Sequence, residues 1–215
     1  MNEEIKKILY QLIYRYPVLK KTENSIIEAY LILKQSFQKE GKLLIAGNGG
    51  SSSDADHIVG ELMKGFISER KIDSYMKDKM KSVDLEIGNE LSIKLQKALP
   101  AISLSNHNSL NTAFLNDVDG EFCFAQQVNG YGKQNDVFLG ITTSGNSKNI
   151  INAAVIAKAK DMKVIGLSGK DGGKLNEFTD VNIIVPEIET YKIQELHLPI
   201  YHCLCLMLEK TFYKD

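Results

Sequence analysis

The chain has no tryptophan, four prolines and three cysteines in 215 residues. Cys123, Cys203 and Cys205 are an odd, sparse set, which excludes a disulfide scaffold and fits a reducing cytosol. Cys203 and Cys205, two apart, point to different faces of a helix and read as buried apolar thiols. No apolar run approaches the length needed to cross a bilayer. An excess of charge is lacking too: the formal net charge is -1, so the basic field that nucleic-acid binders carry is missing. Met1-Asn2-Glu3-Glu4-Ile5 is charged and helix-like, without the apolar core of a secretory signal. Low-complexity tracts, long linkers and internal repeats are absent. These absences predict a cytoplasmic globular protein of one domain, long enough to bury a real core.

Against this plain background stand two glycine- and hydroxyl-rich turns. The first, Gly47-Asn48-Gly49-Gly50-Ser51-Ser52-Ser53, follows the apolar run Leu43–Ala46. The second, Thr142-Thr143-Ser144-Gly145-Asn146-Ser147, follows Val137–Ile141. A strand that ends in small residues and restarts as a helix presents free N–H groups at the positive end of a helix dipole. That is a seat for an anion, most often a phosphate. A hydroxyl-rich helix cap explains either turn taken singly. Two together point to a protein that holds a phosphorylated small molecule.

Apolar spacing predicts helices over 3–15, 25–39, 51–66, 109–116, 121–128, 147–161 and 191–212. Strands are predicted over 42–46, 100–105, 136–141, 163–168 and 181–185. Alternating strands and helices imply a parallel sheet covered on both faces, with ligands beyond the carboxyl ends of the strands. Both glycine turns fall there. Residues 67–99 break the alternation: they are charged, helix-prone and poor in strand signal, and read as a helical insertion.

His57 and Glu61 lie four apart, on one face of the helix entered through the first turn. An imidazole and a carboxylate there can bind a divalent metal or move protons; a surface His–Glu pair is the plainer alternative. The last helix carries Gln194, His197 and His202. Gln194 and His202 are rotated by about 80° and separated by about 12 Å on a regular helix. Joint use of one metal then needs leaning side chains, a distortion at Pro199, or supply from two subunits. His197 faces elsewhere and reads as structural or interfacial. Asn116-Asp117 reads locally as a helix-ending turn.

Together these stretches resemble the sugar isomerase (SIS) domain family, and within it the phosphoheptose isomerases. The matching residues are Ala46 to His57 with Glu61, Asn116-Asp117, Gly140 to Ser147, Gly169 to Leu175, and Ile193-Gln194-Glu195 with His202. The resemblance implies one SIS domain over 1–215: a three-layer, flavodoxin-like α-β-α sandwich around a five-stranded parallel sheet. It also implies a homotetramer with active sites between subunits, the helices of 1–40 serving in assembly. The implied reaction converts D-sedoheptulose 7-phosphate to D-glycero-D-manno-heptose 7-phosphate, toward heptose for surface glycans. Thr142, Thr143, Ser144 and Ser147 then correspond to the phosphate cradle. Asn48, Gly49, Gly50 and Ser51 correspond to sugar contacts, with Asn116 and Asp117 lining the same pocket. His57, Glu61, Gln194 and His202 match four zinc ligands, Gln194 also facing substrate, and Glu61 and His202 match the acid–base pair.

The sequence departs from the family where an arginine is usual after the Glu61 helix; Lys64, in Met63-Lys64-Gly65-Phe66, is expected to supply that charge. The competing reading is a non-catalytic SIS protein, a regulator or scaffold like the bacterial replication-initiator-associating protein, or a phosphosugar sensor. Such relatives lose the acidic residue and the histidine that Glu61 and His202 match here.

Overall fold

A computed structural model describes residues 1–213. Five strands, β1 (Leu43–Gly47), β2 (Ala101–Ser103), β3 (Val137–Thr142), β4 (Lys163–Ser168) and β5 (Val181–Ile184), pair in parallel in the order β2-β1-β3-β4-β5. Every residue of β1 and β3 is buried. This is why both read as unbroken apolar runs: a parallel sheet is covered on both faces.

Nine helices are present among the described residues: α1 (Glu3–Arg15), α2 (Glu23–Gln38), α3 (Gly50–Met63), α4 (Ser74–Val83), α5 (Leu85–Lys94), α6 (Asn108–Asp117), α7 (Cys123–Tyr131), α8 (Lys148–Ala159) and α9 (Thr190–Phe212). One face carries α1, α2, α3 and α9, packed on Leu43, Ile45, Leu139, Ile141 and Ile165. The other carries α7 and α8, packed on Leu44, Ala46, Phe138 and Val164. Alternate residues of one strand thus feed two separate cores, as the period of two requires.

Local chemistry sets the helix starts. Asn2 caps α1 by accepting from the Ile5 amide at 2.9 Å, with Glu3 and Glu4 in the first turn. Asp73 and Asp84 cap α4 and α5 in the same way. The stretch 67–99 is therefore a helical hairpin, closed at its root by an antiparallel bridge between Lys71 and Gln96. Boundaries shift slightly from the sequence reading. Helix α3 stops at Met63, and β2 gives way to a 3-10 turn at Leu104–Asn106.

The chain leaves β1 toward β2 on one side and later returns to place β3 on the other side of β1. The sheet's topological switch point lies between β1 and β3, where ligands of open α/β sheets bind. In register, Gly47 of β1 is opposite Ile141 of β3, so both glycine turns emerge side by side at this crevice.

Candidate active site

Two helices begin at the crevice without a side-chain cap. Helix α3 starts after Gly49, whose φ of 56° is a left-handed conformation that glycine adopts freely. Helix α8 starts after Ser147. In the loop before it, Gly145 has a φ of 68°, and a Cβ there would lie 1.9 Å from the Gly172 carbonyl oxygen. The loop of the second turn is thus braced by the turn at Gly169–Gly173, and the Lys174 amide donates to Asn146 Oδ1 at 3.0 Å. Thr142 Oγ1 and Ser147 Oγ are 2.9 Å apart, and Ser144 Oγ accepts from the Asn146 amide at 3.1 Å. Thr143, Ser144 and Ser147 are half-buried, while Thr142 and Ser51 are buried. Asn48, which leads into α3, and Asn149 of α8 exchange two amide hydrogen bonds of 3.0 and 2.9 Å. That pair ties the two turns together.

Below the first turn, α3 and α9 bring three side chains into contact. His57 Nε2 lies 3.2 Å from Glu61 Oε1 and 3.4 Å from His202 Nε2. The two imidazoles meet edge to face, with centroids 4.9 Å apart, and Phe66 lies against His202 at 5.4 Å. The His202 pKa falls below its ordinary value, first through burial and then through the neighbouring His57; Glu61 opposes both. Glu61 is 12% exposed and its Oε2 is buried with no hydrogen-bond partner. Gln194 packs on the first turn, so that a Cβ on Gly50 would lie 2.7 Å from Gln194 Nε2. His57 and His202 therefore meet within one chain, and that pair requires no second subunit.

Behind this cluster, a buried ion pair joins the two helices. Arg70 Nε donates to Glu209 Oε1 at 2.7 Å, with both side chains at most 1% exposed. Arg70 also donates to the carbonyls of Leu62 at 2.6 Å and Glu61 at 2.9 Å, at the end of α3. Glu209 accepts from the amides of Phe66, Ile67 and Ser68. Burial alone would raise the Glu209 pKa; those amides and Arg70 overrule it and hold the carboxyl below its ordinary value. Lys64, expected to supply a charge here, is exposed and, among the described residues, donates to the Gly65 carbonyl at 3.1 Å, while Arg70 brings a buried positive charge.

Other residues lie apart. Asn116 and Asp117 are exposed at the end of α6, where Asn116 Nδ2 donates to Asp117 Oδ1 at 2.8 Å. No hydrogen bond joins them to the His57 cluster among the described residues. His197 is buried, with Nε2 3.3 Å from the Ser168 carbonyl oxygen, and burial pushes its pKa down to about 4. It is a structural core residue. Cys203 and Cys205 are buried as well, the Cys203 thiol pushed up to about 12 by burial. Sequence reasoning missed Asp54, Asn149, Tyr201, Arg70 and Glu209. Only Asp54 carried a usable signal, three residues before His57 on the same helix face.

Among the described residues, no three or more His, Cys, Asp or Glu side chains form a ready metal cage. Two contacts do converge on His57 Nε2, at 3.2 and 3.4 Å. Ligands on a tetrahedral zinc, with bonds of about 2.0–2.1 Å, stand about 3.3–3.4 Å apart. The unpartnered Glu61 Oε2 is a buried carboxylate oxygen that a cation would satisfy. Two imidazoles and a carboxylate make a donor set that fits zinc.

The SIS domain family profile matches residues 85–169, from α5 through β4. The phosphoheptose isomerase of Leptospira biflexa is 44% identical over 182 residues, covering 85% of this chain and 81% of that protein. The phosphoheptose isomerase of Helicobacter hepaticus is 42% identical over 185 residues, covering 86% and 81%. Among solved structures, a phosphoheptose isomerase from Francisella tularensis superposes with a TM-score of 0.73 at 30% identity, covering 97% of this chain and 100% of that one. The Neisseria gonorrhoeae phosphoheptose isomerase gives 0.71 at 29% identity, covering 95% and 98%. The chain belongs to the phosphoheptose isomerase family, and with it to the SIS-domain isomerases.

Proposed function

We propose that this isomerase converts D-sedoheptulose 7-phosphate to D-glycero-D-manno-heptose 7-phosphate through an enediol. The observation that carries the reading is the contact of His57 with both Glu61 and His202 beside two uncapped helix starts. It joins a phosphate seat to a proton-transfer pair.

An aldose–ketose isomerase removes a proton from the carbon next to a carbonyl and returns it one carbon along. In this reading the Glu61 carboxylate takes that proton. His202 supplies a proton to the sugar oxygen. Thr142, Thr143, Ser144 and Ser147, with the first amides of α8, hold the phosphate. Asn48, Gly49, Gly50 and Ser51 contact the sugar hydroxyls, with Asn116 and Asp117 at the pocket's edge and Gln194 facing the first turn. His57, Glu61, Gln194 and His202 would hold zinc, which, when bound, polarises the sugar carbonyl.

We also place this reading in the cytoplasm, in a homotetramer whose subunits share their sites. In support, no helix among the described residues is long and apolar enough to cross a membrane. Tyr10 and Tyr14 on α1 are exposed, as an assembly surface over 1–40 requires.

The test is turnover of sedoheptulose 7-phosphate by the purified protein, with added zinc and after chelation. Product is expected, and Glu61→Gln is expected to lower kcat by about 10²–10⁴-fold while leaving binding of the sugar phosphate nearly intact. Tight binding without turnover by the unaltered protein would favour the sensor reading. Near-normal turnover by the variant would remove Glu61 from the base role.

A further inference from the structure

His57 has a second contact, on the side away from Glu61. Its Nδ1 lies 3.0 Å from the hydroxyl of Tyr201, a residue 2% exposed. The same hydroxyl lies 3.2 Å from Asp54 Oδ1 and donates to it. The other Asp54 oxygen, Oδ2, is buried without a partner, so the carboxylate spends its one hydrogen bond on the tyrosine. Asp54, His57 and Glu61 fall three and four residues apart on α3, and Tyr201 directly precedes His202 on α9. The chain Asp54–Tyr201–His57 therefore runs parallel to the contact of His57 with Glu61 and His202 and crosses between the same two helices.

The direction of each hydrogen bond follows from the number of protons. A carboxylate only accepts, so the single hydroxyl proton of Tyr201 points to Asp54. The hydroxyl then has only lone pairs to offer His57, and Nδ1 must carry the imidazole proton. In the neutral ring this leaves Nε2 bare. That bare nitrogen is the atom facing Glu61 Oε1 and His202 Nε2. Without Tyr201 the preference would reverse, because the carboxylate of Glu61 would draw the proton to Nε2 and close the gap between the three side chains.

We propose that Asp54 and Tyr201 are positioning residues that fix His57 as the Nδ1–H tautomer, so that its Nε2 lone pair is kept for a divalent cation shared with Glu61 and His202. Neither residue touches the substrate or the cation. Each acts through the next: the carboxylate orients the hydroxyl, and the hydroxyl orients the ring. The inference rests on reading His57 as a zinc ligand, and its test is built to fail separately from that reading.

The variant is Tyr201→Phe, which keeps the ring in the core and removes only the oxygen. Two readouts apply to the purified protein. The first is imidazole nitrogen NMR on metal-free, nitrogen-15-labelled protein near pH 8. It is expected to show protonated Nδ1 and bare Nε2 for His57 in the unaltered chain, and loss of that preference in Tyr201→Phe. The second is zinc affinity, by competition with a chromophoric chelator. It is expected to weaken about 10–100-fold in the variant, the usual effect of removing a residue that orients a ligand. Asp54→Asn leaves the tyrosine a neutral acceptor, and an intermediate loss is expected; it also serves if Tyr201→Phe misfolds. An unaltered tautomer and unaltered zinc affinity in either folded variant would overturn the proposal. A protein that shows the Nδ1–H tautomer yet binds no zinc would retain the positioning of His57 while removing the metal reading.

Discussion

The two parts of the molecule that flank Arg70 could hardly be held more differently. On one side, α3 and α9 meet along a seam of buried residues, closed by an ion pair with almost no exposure and three amides that end on the same carboxylate. On the other, α4 and α5 pack chiefly on each other, through Gly88, where a Cβ would lie 2.3 Å from the Met80 carbonyl oxygen. No large apolar side chain of α4 or α5 is buried, and Val83 and Leu85 are 88% and 76% exposed. The seam carries His57, Glu61 and His202; the hairpin carries none of the candidate site residues. Burial and ion pairing are concentrated directly behind the candidate site side chains.

The contrast is open to attack at three points. Breaking the seam should have the largest effect. Arg70→Ala leaves Glu209 charged and buried without its partner, which typically costs about 3–5 kcal/mol. Urea unfolding measures it, and a loss under about 1 kcal/mol would show that the seam is no stronger than a surface pair.

A pH titration of the face of α9 that packs on the sheet comes second. His197 titrates near its ordinary 6.5 in the unfolded chain but at about 4 when folded. Between those values the unfolded chain binds the extra proton, so stability is full above pH 6.5 and falls as the pH drops toward 4. The span corresponds to about 3 kcal/mol. In His197→Gln the same window should be flatter; an unchanged slope would mean that His197 is not the group titrating there. The low Glu209 pKa acts in a different window, with stability lost only as the pH falls below the ordinary carboxylate range.

The smallest effect is expected in the hairpin. Val83→Ser and Leu85→Gln should each change unfolding free energy by less than about 0.5 kcal/mol, as for other exposed positions. A larger loss, or a change in mass by light scattering, would mean that another molecule covers this face.

Much of this arrangement is legible in the sequence because it is periodic or local. Parallel strands announce themselves as continuous apolar runs, and Asp73 and Asp84 mark helix starts within a stretch rich in charge. His57 and Glu61 are paired by helical spacing alone. The meeting of His57 with His202 is not local: it depends on α3 crossing α9, which side-chain packing decides. The same crossing creates the Arg70–Glu209 pair. Nothing in the segment from Met63 to Arg70 marks its amides as partners for a carboxylate about 140 residues later. Lys64 lies nearer to Glu61 in sequence, yet Arg70 brings the buried positive charge to the end of α3 because the chain folds back on itself, at a φ of 47°. The split of α9 between Gln194 at the turn and His202 at the cluster follows from helical spacing, because the helix continues through Pro199.

The separation of α3 and α9 in the sequence also has a consequence for how the protein is made. His57 and Glu61 leave the ribosome more than 130 residues ahead of His202, with the whole central sheet between them. At about 5–20 residues per second, many seconds pass in which a growing chain has a sheet to fold and His57 and Glu61 still lack their partner on α9. Until α9 docks, a nascent chain holds His57 and Glu61 without the His202 that meets them in the folded protein.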